Sequence, residues 1–162
     1  GDEDLVERVL GLRQAGLDVR AVSGGVGAAS ALKMCYAAIT KGLTAIATQS
    51  MTAARAYGVE ADLAKELAAS QRMLLDRFDR SLPDMAPKAY RWVGEMEEIA
   101  RAFATIGLDP QTFLGAAALY EMVGRTALGD EVPEKRTIGF TADEVARILA
   151  RALVPPDPDG DD

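Results

Sequence analysis

The sequence predicts a mainly α protein, a multi-helix bundle with one long buried helix. Three observations predict this class. Apolar residues recur at helical spacing through most of the 162 residues. Residues 28–57 form an alanine-rich run that is almost free of charge. After residue 22, no segment shows the strict alternation of apolar and polar residues that is typical of a strand.

The chain begins with a predicted helix and a predicted strand. Leu5 and Val9 lie at helical spacing in "EDLVERVLGLRQAG", and Gly16 is placed to end that helix. The next residues, "LDVRAV" at 17–22, alternate apolar and polar and predict a short strand. Because a lone strand leaves its backbone donors and acceptors unpaired, we expect its partner strands to lie outside this chain.

The long helix is predicted from Ala28 to Tyr57, with Gly58 ending it. Thirty residues at about 1.5 Å each would span about 45 Å. Its apolar residues occur on every face, which predicts burial nearly all round. Four shorter helices are predicted after it, over 60–82, 85–108, 109–126 and 141–153. Pro83 and Gly107 are the predicted stops of the first two. Asp109 with Pro110 opens the third, and Thr141 with Glu144 opens the fourth.

Composition excludes several classes of function. The net charge of −7 argues against a nucleic-acid partner, which requires a basic face. The chain has no histidine and one cysteine, so histidine-based catalysis, an internal disulfide and a cysteine zinc cluster are excluded. The acidic start "GDED" and the lysines within the apolar region predict a cytoplasmic protein without a membrane span.

The glycine turn "SGGVGAAS" raises the possibility of a dinucleotide cradle. Gly25 and Gly27 supply the first two glycines of that motif. However, no acidic residue follows before Glu60, and no second strand is readable, so a turn into a helix is the favoured interpretation. Residues 19–59 carry four basic residues and no acid, which indicates either an anion site at the helix start or a buried helix that excludes carboxylates.

The segment "GAASALKMCYAA" at 27–38 resembles the helix-opening motif of β-hydroxyacid dehydrogenases and 6-phosphogluconate dehydrogenases. Gly27 and Lys33 fall on the motif's first glycine and its lysine, while Ala29 and Ala37 replace its second glycine and its asparagine. The resemblance implies that Lys33 is a catalytic acid/base. "VSGG" at 22–25 is similar to the family's substrate-binding glycine motif, which implies substrate contacts at Ser23, Gly24 and Gly25.

A longer resemblance covers residues 20–136 and rests on "GAASALKMCYAAITKG" and "LPDMAPKAYRWVGEMEEIA". It is to an uncharacterised helical C-terminal domain that follows a 6-phosphogluconate-dehydrogenase-type NAD(P)-binding domain in bacterial oxidoreductases. It implies that residues 1–22 are the last helix and strand of a Rossmann-type nucleotide domain. Residues 23–155 would then be a helical substrate-binding and dimerisation domain, followed by a disordered acidic tail at 156–162.

This resemblance implies an NAD(P)-dependent dehydrogenase that forms a homodimer and whose cofactor is bound mainly by a domain absent from this chain. Lys33 has apolar neighbours in the sequence, which suits proton exchange with a substrate oxygen, although a lysine that reaches solvent fits the same pattern. Lys88, Arg91 and Trp92 are candidates for binding a small acidic or polar substrate. The alternative is that Trp92 belongs to the core and that Lys88 and Arg91 are solvated.

A second hypothesis is a stand-alone, non-enzymatic helical module that dimerises or binds a small acid. The missing nucleotide domain and Ala37, in place of the motif's asparagine, favour it.

Overall fold

The structure is a computed structural model that describes residues 3–153. This part of the chain is helical and contains no β-strand, which confirms the predicted mainly α class. It divides into two compact units whose boundary lies between Ala37 and Ala38, inside the long helix. The predicted boundary at residues 22 and 23 falls earlier, and the predicted acidic tail lies outside the described residues.

The first unit opens with α1, Glu3–Leu10, which tightens into a 3₁₀ turn at Gly11–Ala15. Gly16 ends it as predicted, in the left-handed conformation with φ of 82°. A residue with a Cβ is disfavoured there, so glycine is the natural stop.

The predicted strand at 17–22 is wrong for the described residues, because these residues form no ladder. Their polar backbone contacts are local instead, and the Arg13 Nε–H donates to the Val19 carbonyl at 2.6 Å. Val19 and Val22 line a groove together with Val9 of α1. The alternating pattern is therefore that of a segment whose apolar side chains line a groove, and it does not distinguish such a segment from a half-buried strand.

Helix α2 runs over Ala28–Tyr57, and Gly58 ends it with φ of 72°, as predicted. Its predicted burial on every face is wrong. In the second unit it buries one face, made of alanine and threonine, whereas Ile39 and Ile46 are exposed. An uncharged helix has no face that must be solvated, so its composition alone does not determine how many neighbours cover it.

The segment predicted as one helix over 60–82 is two helices, α3 at Glu60–Ser70 and α4 at Arg72–Met85. The break lies at Gln71, whose φ of −139° is not helical. Helix α4 also passes through Pro83 and ends two residues later. Pro83 lies in the final turn and has no N–H to donate to the carbonyl four residues earlier, which is consistent with the helix ending soon after it.

The remaining helices begin and end close to the predicted residues. A 3₁₀ turn at Ala86–Lys88 leads into α5 at Ala89–Ala104, then come α6 at Gln111–Gly124 and α7 at Ala142–Ala152. Asp109 Oδ1 accepts the Gln111 N–H at 2.7 Å, and Thr141 Oγ1 accepts the Glu144 N–H at 3.1 Å. Helix α5 packs against α6, and α4 packs against α7 and α3. The fully buried core side chains of this unit include Leu82, Met85, Met96, Tyr120, Val123, Val145 and Leu149.

Candidate functional site

The first unit holds the glycine turn and the predicted catalytic lysine. Ser23, Gly24 and Gly25 are exposed and immediately precede α2. Gly24 has φ of 116°, and a Cβ there would lie 3.0 Å from the Ala28 Cβ, so the turn requires glycine at this position. Gly24 and Gly25 line the groove against α1, a cavity of about 400 Å³ to which Ser23 and Lys33 do not contribute.

Lys33 lies in the second turn of α2 and is exposed to solvent. Of its neighbours, Leu32 and Ala29 are exposed, and Met34 and Ala37 are half-buried. The described residues therefore do not supply the apolar enclosure that the sequence suggested around this amine. Its role as an acid/base stays a prediction that requires a further surface over Lys33.

The second unit holds the other three candidates, at the start of α5. Lys88 Nζ pairs with Asp84 Oδ1 at 2.6 Å, one helical turn earlier. Arg91 is exposed and has no ion pair among residues 3–153. Trp92 is half-buried, and its ring meets the Tyr120 ring edge-on at a centroid distance of 5.2 Å. Of the three, Arg91 is thus the cation most available to an acidic ligand.

A polar cluster that local spacing does not predict lies around Trp92. The Lys41 ammonium sits 4.7 Å from the Trp92 ring centroid and pairs with the Glu95 carboxylate. The Tyr120 hydroxyl donates to the Lys41 carbonyl at 2.5 Å. Burial raises the pKa of Tyr120 well above its ordinary value, so this hydroxyl remains a donor at alkaline pH as well as at neutral pH.

This cluster joins α2, α5 and α6. It explains why Lys41 occurs among the buried alanines and threonines of α2, because its charge is met by a carboxylate and an aromatic face. The sequence alone indicates that Lys41 is unusual, since it is the one charged residue between Lys33 and Arg55 in α2. The identity of its partners depended on the packing of three helices.

Among residues 3–153, no group of three or more cysteine, aspartate or glutamate side chains is placed to hold a metal ion. No helix within that range is long and apolar enough to cross a membrane.

Comparison with known proteins supplies a family model. Residues 54–123 match a domain of unknown function (DUF1932). The match extends from the last turn of α2 to the end of α6, and so includes Lys88, Arg91 and Trp92. No protein with a curated description matches the chain.

A solved structure provides the fold comparison. It is described as the crystal structure of the conserved hypothetical protein from Sinorhizobium meliloti 1021. The match has a TM-score of 0.71 at 22% sequence identity, over 91% of this chain and 49% of the other. The likeness supports the helical fold, and the chain spans about half the length of that protein.

Proposed function

We propose that this chain is the C-terminal substrate-binding and dimerisation domain of an NAD(P)-dependent dehydrogenase of the 6-phosphogluconate/β-hydroxyacid type. The observation that carries the proposal is the DUF1932 match, which begins in the last turn of a helix opened by the Gly27-to-Lys33 motif. The length of the structural neighbour also supports it, because about half of that protein has no counterpart here.

The described residues do not fit a complete dinucleotide site. No strand precedes the glycine turn, and no carboxylate occurs between Asp18 and Glu60 to hold a ribose hydroxyl. We therefore assign NAD(P) to a nucleotide-binding domain that residues 1–162 do not contain. When bound there, the nicotinamide supplies the chemistry of hydride exchange with the substrate carbon.

The contribution of this chain is proton transfer at the substrate oxygen. When a carbon that bears a hydroxyl loses hydride, the hydroxyl must lose its proton as the carbonyl forms. In the reverse direction the carbonyl oxygen gains a proton. Lys33 Nζ takes the proton in the first case and returns it in the second.

Substrate recognition in this proposal uses backbone and side-chain donors. Ser23, Gly24 and Gly25 are exposed, and the proposal assigns their backbone N–H groups as substrate donors. Arg91 supplies an exposed guanidinium that binds an acidic group of the substrate. Lys88 and Trp92, at the start of the same helix, are the other two proposed substrate-binding side chains. The substrate is a small acidic or polar molecule.

We also propose that the chain forms a homodimer through α2. The large apolar residues Ile39 and Ile46 of the second unit are each more than half exposed, and they lie seven residues apart. That spacing places both on one stripe of the helix. An exposed apolar stripe of this kind marks an interaction surface.

Replacing Lys33 tests the catalytic assignment in the protein that carries both domains. We expect Lys33→Met to lower kcat of dehydrogenation about 10²- to 10⁴-fold, the usual contribution of a general acid/base, with little change in the substrate KM. Lys135→Met removes an exposed loop lysine and serves as the control. Unchanged kcat in Lys33→Met would remove Lys33 from the mechanism.

Cofactor titration tests the domain assignment separately. NADPH, and then NADH, is added to the purified 162-residue chain while cofactor fluorescence is followed. We expect no saturable binding at high micromolar cofactor. Tight binding would mean that this chain holds a complete nucleotide site, and the assignment of the cofactor to another domain would be wrong.

A further inference from the structure

Helix α3 is weakly attached to the rest of the second unit. It contributes no buried residue, whereas α4, α5, α6 and α7 each contribute several. Its half-buried residues are Glu60, Leu63 and Leu67, and the others are exposed. Its main neighbour is α4. Since most of the stability of a helix in a protein comes from packing of its apolar face, α3 gains less from its position than the other helices do.

A cavity lies beneath α3. It has a volume of about 230 Å³ and is lined by residues of α3, the end of α2, α4 and α7. Leu63 and Leu67 of α3 line it, together with Met51 of α2 and Ala146 of α7. A side chain that faces a void lacks dispersion contacts on that side. Moving α3 outward therefore breaks few packing contacts with α2 and α7.

Both ends of α3 are suited to bending. Gly58 lies two residues before α3 and adopts the left-handed conformation, with φ of 72°. Gln71 directly follows α3, and its φ of −139° separates this helix from α4. No side chain caps the start of α3 or the start of α4. Because hinges are a few residues at element ends that absorb a change in backbone torsion, Gly58 and Gln71 are placed for this role.

An ion pair fastens the start of α3. Arg55, near the end of α2, donates to Oε1 of Glu60, the first residue of α3, at 2.6 Å. The same guanidinium donates to Asp143 Oδ1 in the first turn of α7 at 2.5 Å. All three side chains are partly exposed. The Arg55–Glu60 pair is therefore weak enough to open and is screened by salt.

We propose that α3 is a lid over this cavity. It swings outward as a unit about Gly58 and Gln71, while the other helices of the second unit stay packed. The Arg55–Glu60 pair is the latch that holds its first turn. Opening exposes the apolar walls of the cavity to solvent, so the closed state is favoured in the absence of a disturbance.

Thiol labelling tests lid opening in the 162-residue chain. Ala146 lines the cavity and is 3% exposed, and Ala117 of α6 is 5% exposed and lies outside it. Each is replaced by cysteine in a Cys35→Ser background, and reaction with iodoacetamide under native conditions is followed by mass spectrometry. We expect Ala146→Cys to react at least about tenfold faster than Ala117→Cys, because the second site opens only when α6 leaves its neighbours. Equal rates would overturn the proposal, since α3 would then open only with global unfolding.

Two variants that each remove one negative charge from the first turn of α3 test the latch. Glu60→Gln breaks the pair with Arg55 and should raise the labelling rate of Ala146→Cys about two- to fivefold. Asp62→Asn is the matched control and should leave that rate unchanged, because Asp62 pairs with Lys65 inside α3.

Salt provides a second readout of the latch. Raising NaCl from about 0.1 M to about 1 M screens the ion pair, so it should raise the labelling rate when Glu60 is present and have less effect in Glu60→Gln. A fast rate that neither Glu60→Gln nor salt alters would overturn the latch and show that the cavity is accessible without movement of α3.

Discussion

Tyr120 shows how a single side chain joins helices in the second unit. Its ring is fully buried in α6, packs edge-on against Trp92 of α5, and carries a hydroxyl that donates to the Lys41 carbonyl of α2. A buried hydroxyl that donates to an acceptor stabilises the fold. Its hydrogen bond in the folded protein is worth more than the bond to water that it makes in the unfolded chain. We infer that this residue couples three helices.

Removing the hydroxyl measures this contribution. We expect Tyr120→Phe to lower the free energy of unfolding by about 1 kcal/mol, the usual net value of such a hydrogen bond. Urea denaturation followed by CD checks it. Tyr90→Phe is the matched control, since Tyr90 is exposed and its loss should change stability by less than about 0.5 kcal/mol. An equal loss in both variants would contradict the role given to the Tyr120 hydrogen bond.

Tyr120 also makes stability depend on alkaline pH. Burial raises the pKa of its phenol above the ordinary value of 10.0. Above about pH 10 the unfolded chain therefore loses this proton while the folded chain keeps it, and stability falls as pH rises. We expect this residue to contribute a slope approaching about 1.4 kcal/mol per pH unit, which Tyr120→Phe lacks.

Urea denaturation at about pH 9, about pH 10 and about pH 11 measures this slope in wild type and variant. Tyr90→Phe should retain the wild-type slope. Parallel pH profiles for wild type and Tyr120→Phe would show that the fold does not hold the phenol in its protonated form.

At the scale of elements, the helix ends follow local chemistry closely. Gly16, Gly58 and Gly107 all adopt positive φ where the sequence predicts a helix stop. Thr141 caps α7, and Glu144 Oε2 reaches back to the Phe140 N–H at 3.0 Å. Such caps involve residues within a few positions of one another, so they are readable without the tertiary structure.

Loss of the Thr141 cap should destabilise the second unit. We expect Thr141→Ala to lower the free energy of unfolding by about 1 kcal/mol, because the Glu144 N–H loses its acceptor. Chemical denaturation provides the measurement. Thr141→Ser keeps a hydroxyl and should stay within about 0.5 kcal/mol of the wild type. If serine and alanine were equally destabilising, the hydroxyl would not be the source of the effect.

For the whole molecule, the exposed stripe on α2 is the feature with the largest consequence for assembly. Replacing Ile39 and Ile46 with glutamate places two charges on that stripe, and burying them in an interface would be costly. We expect the Ile39→Glu/Ile46→Glu double variant to be monomeric at concentrations where the wild type is dimeric. Sedimentation equilibrium measures this change.

Ile106→Glu is the control for this experiment, because Ile106 is equally exposed but lies beyond the end of α5. It should retain the wild-type association. A monomeric wild type, or a dimer that survives the double variant, would exclude α2 as the dimer surface.

The amino-acid sequence was sufficient to predict the helical class, the bounds of α2 and the principal helix ends. These features depend on local periodicity, on capping residues and on glycines at positive φ. It also identified Lys33 and the Lys88-to-Trp92 segment as distinctive, but their predicted roles await the experiments above. The break at Gln71 was not readable, since the residues on both sides carry the same helical pattern.

Which faces are buried and which side chains meet depended on the packing of the helices. Residues 17–22 line a groove instead of pairing as a strand, and the apolar α2 has a solvent-exposed stripe. Lys41 and Arg55 each have a partner on a helix distant in sequence, 88 residues away for the Arg55–Asp143 pair. Burial and ion pairing depend on the packing of several elements at once, and no local pattern encodes which elements those are.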